Sequence, residues 1–567
     1  MIAEGQQAPP PWLETLDGDA PILLIAPHGG YAEPETAALL APRVNDLHTA
    51  DITRELAIRL DAAALINTAM DRNRLDCNRL DEVVAHAPWL LTMIADRLEQ
   101  MVAEHGRALV LAVHGWNLVE ARVDIGVGLT KRAGRLVPSR GAHVSVSDQF
   151  LTGTLNVLID RLGRAGIVST FGLRYPAGGA QNLMQVFTQR HSASSIDALR
   201  RITALSGRGA IEAVQLELSI ALRFPGSLRD AAIEALSEIL ANGGDGAMRN
   251  GNHSHRSHRT AGAPTIHLPR SAPRKSARFG LEFYDPALRI GAMASFDLGV
   301  GRGGGRFMIL RTDGSVLLFT GERGSDRESA ALRVGPLRLR TDGGRLRLEF
   351  VGPALLTPDA ATYVNIERAL SQSSLETEVT FTIDFTLGTS LDVESVRAGA
   401  EGEGASGIPV RFGNFSGRMR IGGRDHSMSG VARIGPAFTA LDDAAFDARR
   451  RLWAFADTDA GAIQANEFFV DARWHPGSGS DRCRIIACEP PAIHASLTAI
   501  RDEDQTVVGQ VVSHIPLVRS DSRGRRFRTS IGFADFAIER HRYFGMFETS
   551  WRVDNRPSTS DSEAETG

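Results

Sequence analysis

Five short polar segments interrupt an otherwise apolar N-terminal half. They are Pro27-His28-Gly29-Gly30, Asn45 to Thr49, Asp71 to Arg79, Val113 to Trp116 and Gln215 to Ser219. His28 ends the apolar run PILLIA, His114 ends ALVLAV, and Glu217 interrupts AVQLEL. Neutral imidazole is a common zinc ligand. A catalytic zinc takes about three protein ligands and keeps one position open. Asp46 and Glu33 are the two carboxylates that could complete a set with His28 and His114. The chain has no HExxH, so such a site must be assembled from distant segments. A carboxylate inside an apolar run needs a partner or a function, and Glu217 beside an acidified water would be a general base. Structural roles compete with each of these. A strand-end His is often simply hydrogen-bonded, Asp46 could cap a helix starting at Thr49, and Glu217 could pair with a buried Arg.

The segment Asp71 to Arg79 packs three Arg and two Asp into nine residues. Arg binds carboxylates through two parallel hydrogen bonds and can stabilise an oxyanion. A self-neutralising surface loop is the plain alternative. Its position after a strand-like run, Ala63–Thr68, favours substrate binding.

These residues need elements to carry them. Strand-like runs cover Pro21–Pro27, Ala63–Thr68, Ala108–His114, Ile167–Thr170 and Ala213–Leu218. Helical periodicity covers Thr49–Leu60, Trp89–His105, Asp148–Ala165, Ser195–Leu205 and Ser227–Ala241. This alternation predicts an α/β domain, residues 12–242, with a mostly parallel sheet and helices on both faces. Open sheets of this kind place their ligand crevice at the carboxyl ends of the strands.

Residues 243–277 are rich in Gly, Pro, Ser, Arg and His and read as a flexible linker. His253, His255 and His258 lie in it and are read as solvated in preference to metal-binding. From 278 to 555 the texture is β, with short alternating runs such as Thr380-Phe381-Thr382-Ile383 divided by Gly, Asp and Pro turns. An all-β barrel or pair of barrels is expected there. Residues 556–567 form a polar tail expected to be disordered.

The chain has 567 residues, 43% hydrophobic and 23% charged, with a formal net charge of −4. That balance argues against a broad nucleic-acid-binding face. Three cysteines make no disulfide framework, no N-terminal signal pattern is present, and no apolar stretch reaches ~18 residues. A soluble cytoplasmic protein without a membrane span is the expectation.

In their order, the motifs resemble those of the N-formylglutamate amidohydrolase family over roughly residues 20 to 225. Pro27-His28-Gly29-Gly30 resembles the family's PHSG, and Asp46-Leu47-His48-Thr49 its Asp-led segment at the first helix. Arg72, Asp76, Asn78 and Arg79 match SRxxxDLNR. Val113-His114-Gly115 takes the place of DLHS, and Asp124-Ile125-Gly126-Val127-Gly128 resembles DIxLG. Tyr175 to Gly179 resembles an aromatic-x-x-Gly-Gly turn, and Gln215-Leu216-Glu217-Leu218 matches QxEL. The resemblance implies a zinc-carboxypeptidase-like fold, akin to aspartoacylase-type enzymes. It implies Zn2+ on His28, Asp46 and His114, with Glu217 as general base and Arg72 supporting the oxyanion or substrate. It also implies a substrate carboxylate held by Asn78 and Arg79, with Gly178 and Gly179 in the substrate-binding turn. Ala112 departs from the pattern: the family carries an Asp there, so the carboxylate that would orient His114 is missing.

The β half resembles lipocalin-like proteins related to hydroxyneurosporene hydratases and attachment-type barrels. Gly545-Met546-Phe547-Glu548 and Phe283-Tyr284-Asp285-Pro286 carry that likeness, while Arg424-Asp425-His426-Ser427 is read as a hairpin turn. The leading functional reading is a zinc-dependent amidohydrolase acting on an N-acyl amino acid with a free carboxylate. The alternatives are a decayed hydrolase scaffold whose β half binds an apolar ligand, and an enzyme acting on a peptide or cell-wall amide.

Overall fold

A computed structural model describes residues 9–31, 43–132, 135–245, 278–298, 304–322, 331–342, 345–387, 410–437, 448–456, 462–470, 473–476, 483–487, 497–501, 505–520, 525–538 and 541–553. The chain divides into two compact units, Met1–Ala272 and Pro273–Gly567.

The first unit carries strands β1 Leu13–Leu16, β2 Ala20–Ala26, β3 Ala62–Asn67, β4 Ala108–Trp116 and β5 Arg122–Gly126. A hairpin of β6 Leu129–Arg132 and β7 Arg135–Pro138 follows, then β8 Val168–Phe171 and β9 Ile211–Ser219. Seven of these form one sheet in the order β1-β3-β2-β4-β9-β5-β8. β2 runs parallel to β3 and β4, β4 to β9, and β5 to β8. The runs β2, β3, β4 and β9 are strands because they are apolar on both faces, as a sheet covered on both sides requires. Leu23, Ile25 and Val110 face one core with the Pro88–His105 and Asp197–Gly207 helices. Ile22, Leu24 and Leu111 face the other with the Thr49–Leu60 and Asn156–Arg164 helices. The α/β layering expected from the alternation is therefore present.

Two strands of this sheet, and the β6–β7 hairpin, escaped the sequence reading. β1 pairs antiparallel with β3, and β5 pairs antiparallel with β9. β5 is short and carries Arg122 and Asp124, which hide it as a strand. Its direction follows from the few residues separating it from β4, because a parallel crossover needs about a dozen or more. The helix predicted over Asp148–Ala165 is interrupted: a π turn at Leu151–Leu155, containing Gly153, separates Asp148–Phe150 from Asn156–Arg164. The last helix runs Ser227–Asp245, so the first residues assigned to the linker are helical. His253, His255 and His258 lie outside the described residues.

In the second unit, a ten-stranded antiparallel sheet curls until Val316–Glu322 pairs with Arg345–Thr357. Eight of its strands thus form a closed barrel, and closure removes the exposed edges. The Phe307 and Phe381 rings lie 5.2 Å apart although their strands are not adjacent, so they meet inside. Phe319 and Phe350 join them, while Phe283, Phe385 and Phe415 form a second interior group. A separate eight-stranded sheet follows, built from Ala448–Ala456 to His541–Arg552. It packs on the outside of the barrel through Tyr284, whose ring stacks on Phe533 and whose hydroxyl donates to Asp535 at 2.7 Å. The Arg424-Asp425-His426-Ser427 motif begins the strand after the Gly422-Gly423 turn, where both glycines have positive φ. It lies at a hairpin, as read. No helix among the described residues is long and apolar enough to cross a membrane.

Candidate active site

In the first unit, β2 leads on one side to β3 and on the other to β4, so the strand order reverses between β2 and β4. Such a switch point opens a crevice at the carboxyl ends of the strands. His28 follows β2, and His114 lies near the end of β4. Gly29 is required by close approach, since a Cβ there would sit 2.4 Å from the Asn67 carbonyl oxygen.

Asp46 reaches the same point because its amide donates to the His28 carbonyl at 2.8 Å. The competing capping role is excluded by geometry. The N-cap of the Thr49–Leu60 helix is His48, in a left-handed conformation with no side-chain cap. The Asp46 carboxylate turns instead to the histidines, with Oδ2 lying 3.1 Å from His28 Nδ1 and 3.6 Å from His114 Nδ1. One ligand atom from each of His28, Asp46 and His114 falls within 4.8 Å of the others, and all three residues are buried. Tetrahedral zinc bonds of about 2.0–2.1 Å place neighbouring ligand atoms roughly 3.3 Å apart. The 3.1 and 3.6 Å separations straddle that value. Glu33, the other candidate ligand, lies outside the described residues.

The outer nitrogens of the two imidazoles differ. His28 Nε2 meets Asp76 Oδ1 at 2.7 Å. His114 Nε2 is buried with no hydrogen-bond partner, and Ala112, two residues earlier, has no side chain that could supply one. Burial and Arg72 would depress the His28 imidazole, but Asp46 and Asp76 overcome both and hold its pKa raised. Burial drives the His114 pKa down to about 4, so its imidazole is neutral at physiological pH. Burial opposes ionisation of Asp46, yet the two imidazoles keep its pKa well below the usual range.

Glu217 stands beside His114, because parallel pairing of β4 with β9 puts the two residues in register. Its Oε1 accepts from Gln215 Nε2 at 2.8 Å, and among the described residues no arginine pairs with it. Burial pushes its pKa well above the carboxylate range, reinforced by Asp46 and Asp124.

All of these groups line one cleft of about 730 Å³. Arg72, Asn78, Arg79, Gly178 and Gly179 line it too, so every described residue predicted for the site faces a common space. Arg72 Nη1 donates to the Val44 carbonyl at 3.0 Å and to Asp46 Oδ1 at 3.4 Å. Arg72 Nε and Asn78 Oδ1 are buried without partners. Arg79 is half exposed at the rim and pairs with Asp81 at 3.2 Å. Gly178 must be small, since a Cβ there would lie 2.1 Å from Ser139 Oγ.

Sequence reasoning missed Arg43 and Arg174, which also line the cleft. Arg43 binds Asp76 Oδ2 at 2.9 Å. Neither falls in a motif, so neither left a signal. It also missed the role of Asp124, whose carboxylate accepts from Thr170 Oγ1 and from the amides of Leu173, Arg174 and Tyr175, all at 2.8–2.9 Å. Asp124 thereby holds the turn that presents Arg174 and Tyr175 to the cleft.

No protein-family model matches the sequence, and no curated protein matches it. Solved structures give remote likenesses, among them the following. N-formylglutamate amidohydrolase from Ralstonia eutropha JMP134 is 11% identical with a TM-score of 0.29, covering 41% of this chain and 97% of its own. A protein assigned as AttH from Nitrosomonas europaea is 12% identical with a TM-score of 0.32, covering 52% and 98%. Kievitone hydratase from Nectria haematococca is 10% identical with a TM-score of 0.31, covering 49% and 89%.

Proposed function

We propose that the first unit is a zinc-dependent amidohydrolase that cleaves a small N-acyl amino acid bearing a free carboxylate, as an N-formylglutamate-like substrate would. The convergence of His28, Asp46 and His114 beside Glu217 carries this reading. The donor set of two imidazoles and one carboxylate suits zinc, and a three-residue set leaves a position open. When bound there, zinc supplies a Lewis acid that polarises a carbonyl and acidifies a water.

The rest of the chemistry belongs to the chain. Glu217 takes the proton from the attacking water and delivers it to the amine nitrogen as the C–N bond breaks. Its raised proton affinity suits both halves of that transfer. Arg72, fixed by the Val44 carbonyl, presents a cation to the oxygen that gains charge. Arg79, Arg174 and Arg43 make the cleft attractive to a substrate carboxylate, and Asn78 lines the same cleft.

Metal content of the purified protein tests this directly. About one zinc per chain, lost in His114→Ala, supports the reading, as does release of an amine from N-acyl amino acids. No metal after zinc reconstitution overturns it, and attention then passes to apolar ligands of the β half.

A further inference from the structure

Arg223 is fully buried, at 1% exposure, at the end of the short helix that follows β9. A buried guanidinium normally finds a carboxylate. This one is met by four neutral acceptors. Its Nε donates to the Leu218 carbonyl at 3.0 Å and its Nη1 to the Leu47 carbonyl at 2.5 Å. Its Nη2 donates to Asn117 Oδ1 at 2.9 Å and to the Trp116 carbonyl at 3.4 Å.

The identity of those acceptors is the point. Leu47 follows Asp46, Leu218 follows Glu217, and Trp116 lies two residues after His114. One planar, rigid fork therefore ties together the three chain segments that carry a carboxylate ligand, the base and a histidine ligand. These segments are far apart in sequence. The guanidinium also packs against Gly115, where a Cβ would come within 2.8 Å of both Arg223 Cζ and Asp46 Cβ. The packing of Phe224 edge-on to His48, with ring centroids 4.9 Å apart, fastens the same turn to the Asp46 segment.

We infer that Arg223 is a positioning residue of the metal site, setting the spacing of Asp46, His114 and Glu217 through the backbone that follows each. This rests on the metal-hydrolase reading above. Lysine keeps the charge but has no fork with which to reach separate carbonyls.

The test compares zinc affinity by chelator competition, kcat/KM and thermal unfolding of the metal-free protein, for wild type, Arg223→Lys and Asn117→Ala. Loss of an outer partner typically weakens metal binding about 10–100-fold, and that loss is expected for Arg223→Lys. Asn117→Ala, which removes one of the four acceptors, should show a smaller loss in the same direction. A lowered unfolding temperature with wild-type zinc affinity and kcat/KM, in either variant, would make Arg223 merely structural and overturn the inference. Should Arg223→Lys fail to fold, Asn117→Ala alone decides by the same criterion. Absence of zinc binding in the wild type overturns the metal reading itself, and this inference with it.

Discussion

Asp124 and Glu217 are direct cross-strand partners in the antiparallel pairing of β5 with β9. Two buried carboxylates in this relation cannot both ionise cheaply. Asp124 is met by four hydrogen-bond donors, whereas among the described residues Glu217 has the Gln215 amide alone. Burial first, and then Asp46 and Asp124, raise the pKa of Glu217.

Activity should appear as pH rises through the raised pKa of Glu217, placing the acid limb of kcat/KM above the ordinary glutamate range. Glu217→Gln should reduce kcat by about 10²–10⁴-fold. The sign for stability is opposite. A carboxyl with a raised folded pKa stabilises below its ordinary pKa and loses that contribution as pH rises through the folded value. Metal-free Glu217→Gln should thus melt higher than wild type, by a margin that grows from acid to neutral pH. Calorimetry across that range checks this, and an unchanged difference would refute it.

Asp124→Asn separates two consequences of one side chain. Removing the like charge should lower the proton affinity of Glu217 and move the acid limb of the pH–rate profile to lower pH. The amide retains one acceptor oxygen where the carboxylate used both, so the Leu173–Tyr175 turn loosens and KM rises. A profile that does not move would show that Asp124 acts on the turn alone.

The unequal outer contacts of the two histidines predict unequal sensitivities. Asp76→Ala leaves His28 Nε2 without its acceptor and should weaken zinc binding about 10–100-fold. Isothermal titration with zinc measures it, and an unchanged Kd would exclude Asp76 from orienting the ligand.

Gly115→Ala should cost about 1–3 kcal/mol, because its Cβ meets Arg223 and Asp46 in a packed site. Gly163→Ala is the control: nothing lies within 4 Å of the added carbon. There the substitution should stabilise by about 0.8–1 kcal/mol, as Gly to Ala does within a helix. Denaturant unfolding of both variants reads the contrast.

In the barrel, Phe350→Ala removes a ring packed on Phe307, Phe319 and Phe381. A loss of about 3–5 kcal/mol is expected. A small change in the unfolding transition would mean that the interior collapses to fill the space.

The apolar runs of β2, β4 and β9 are strands from composition alone, since a strand buried on both faces must be apolar throughout. The polar residues that end or interrupt those runs, His28, His114 and Glu217, were conspicuous for the same reason. Local sequence therefore determined which residues were candidates and which elements carry them. It left Asp46 divided between capping and ligation, and Glu217 between base and ion pair, because each pattern is satisfied by either role. Tertiary structure shows what each carboxylate faces. The Asp46 carboxylate faces two imidazoles, and Glu217 is in register with His114. Arg223, the barrel closure at Val316–Leu318 with Leu355–Thr357, and the facing of Asp124 and Glu217 were likewise settled only in three dimensions. Each depends on pairing between segments distant in the chain, and the periodicity of one segment carries no information about its partner.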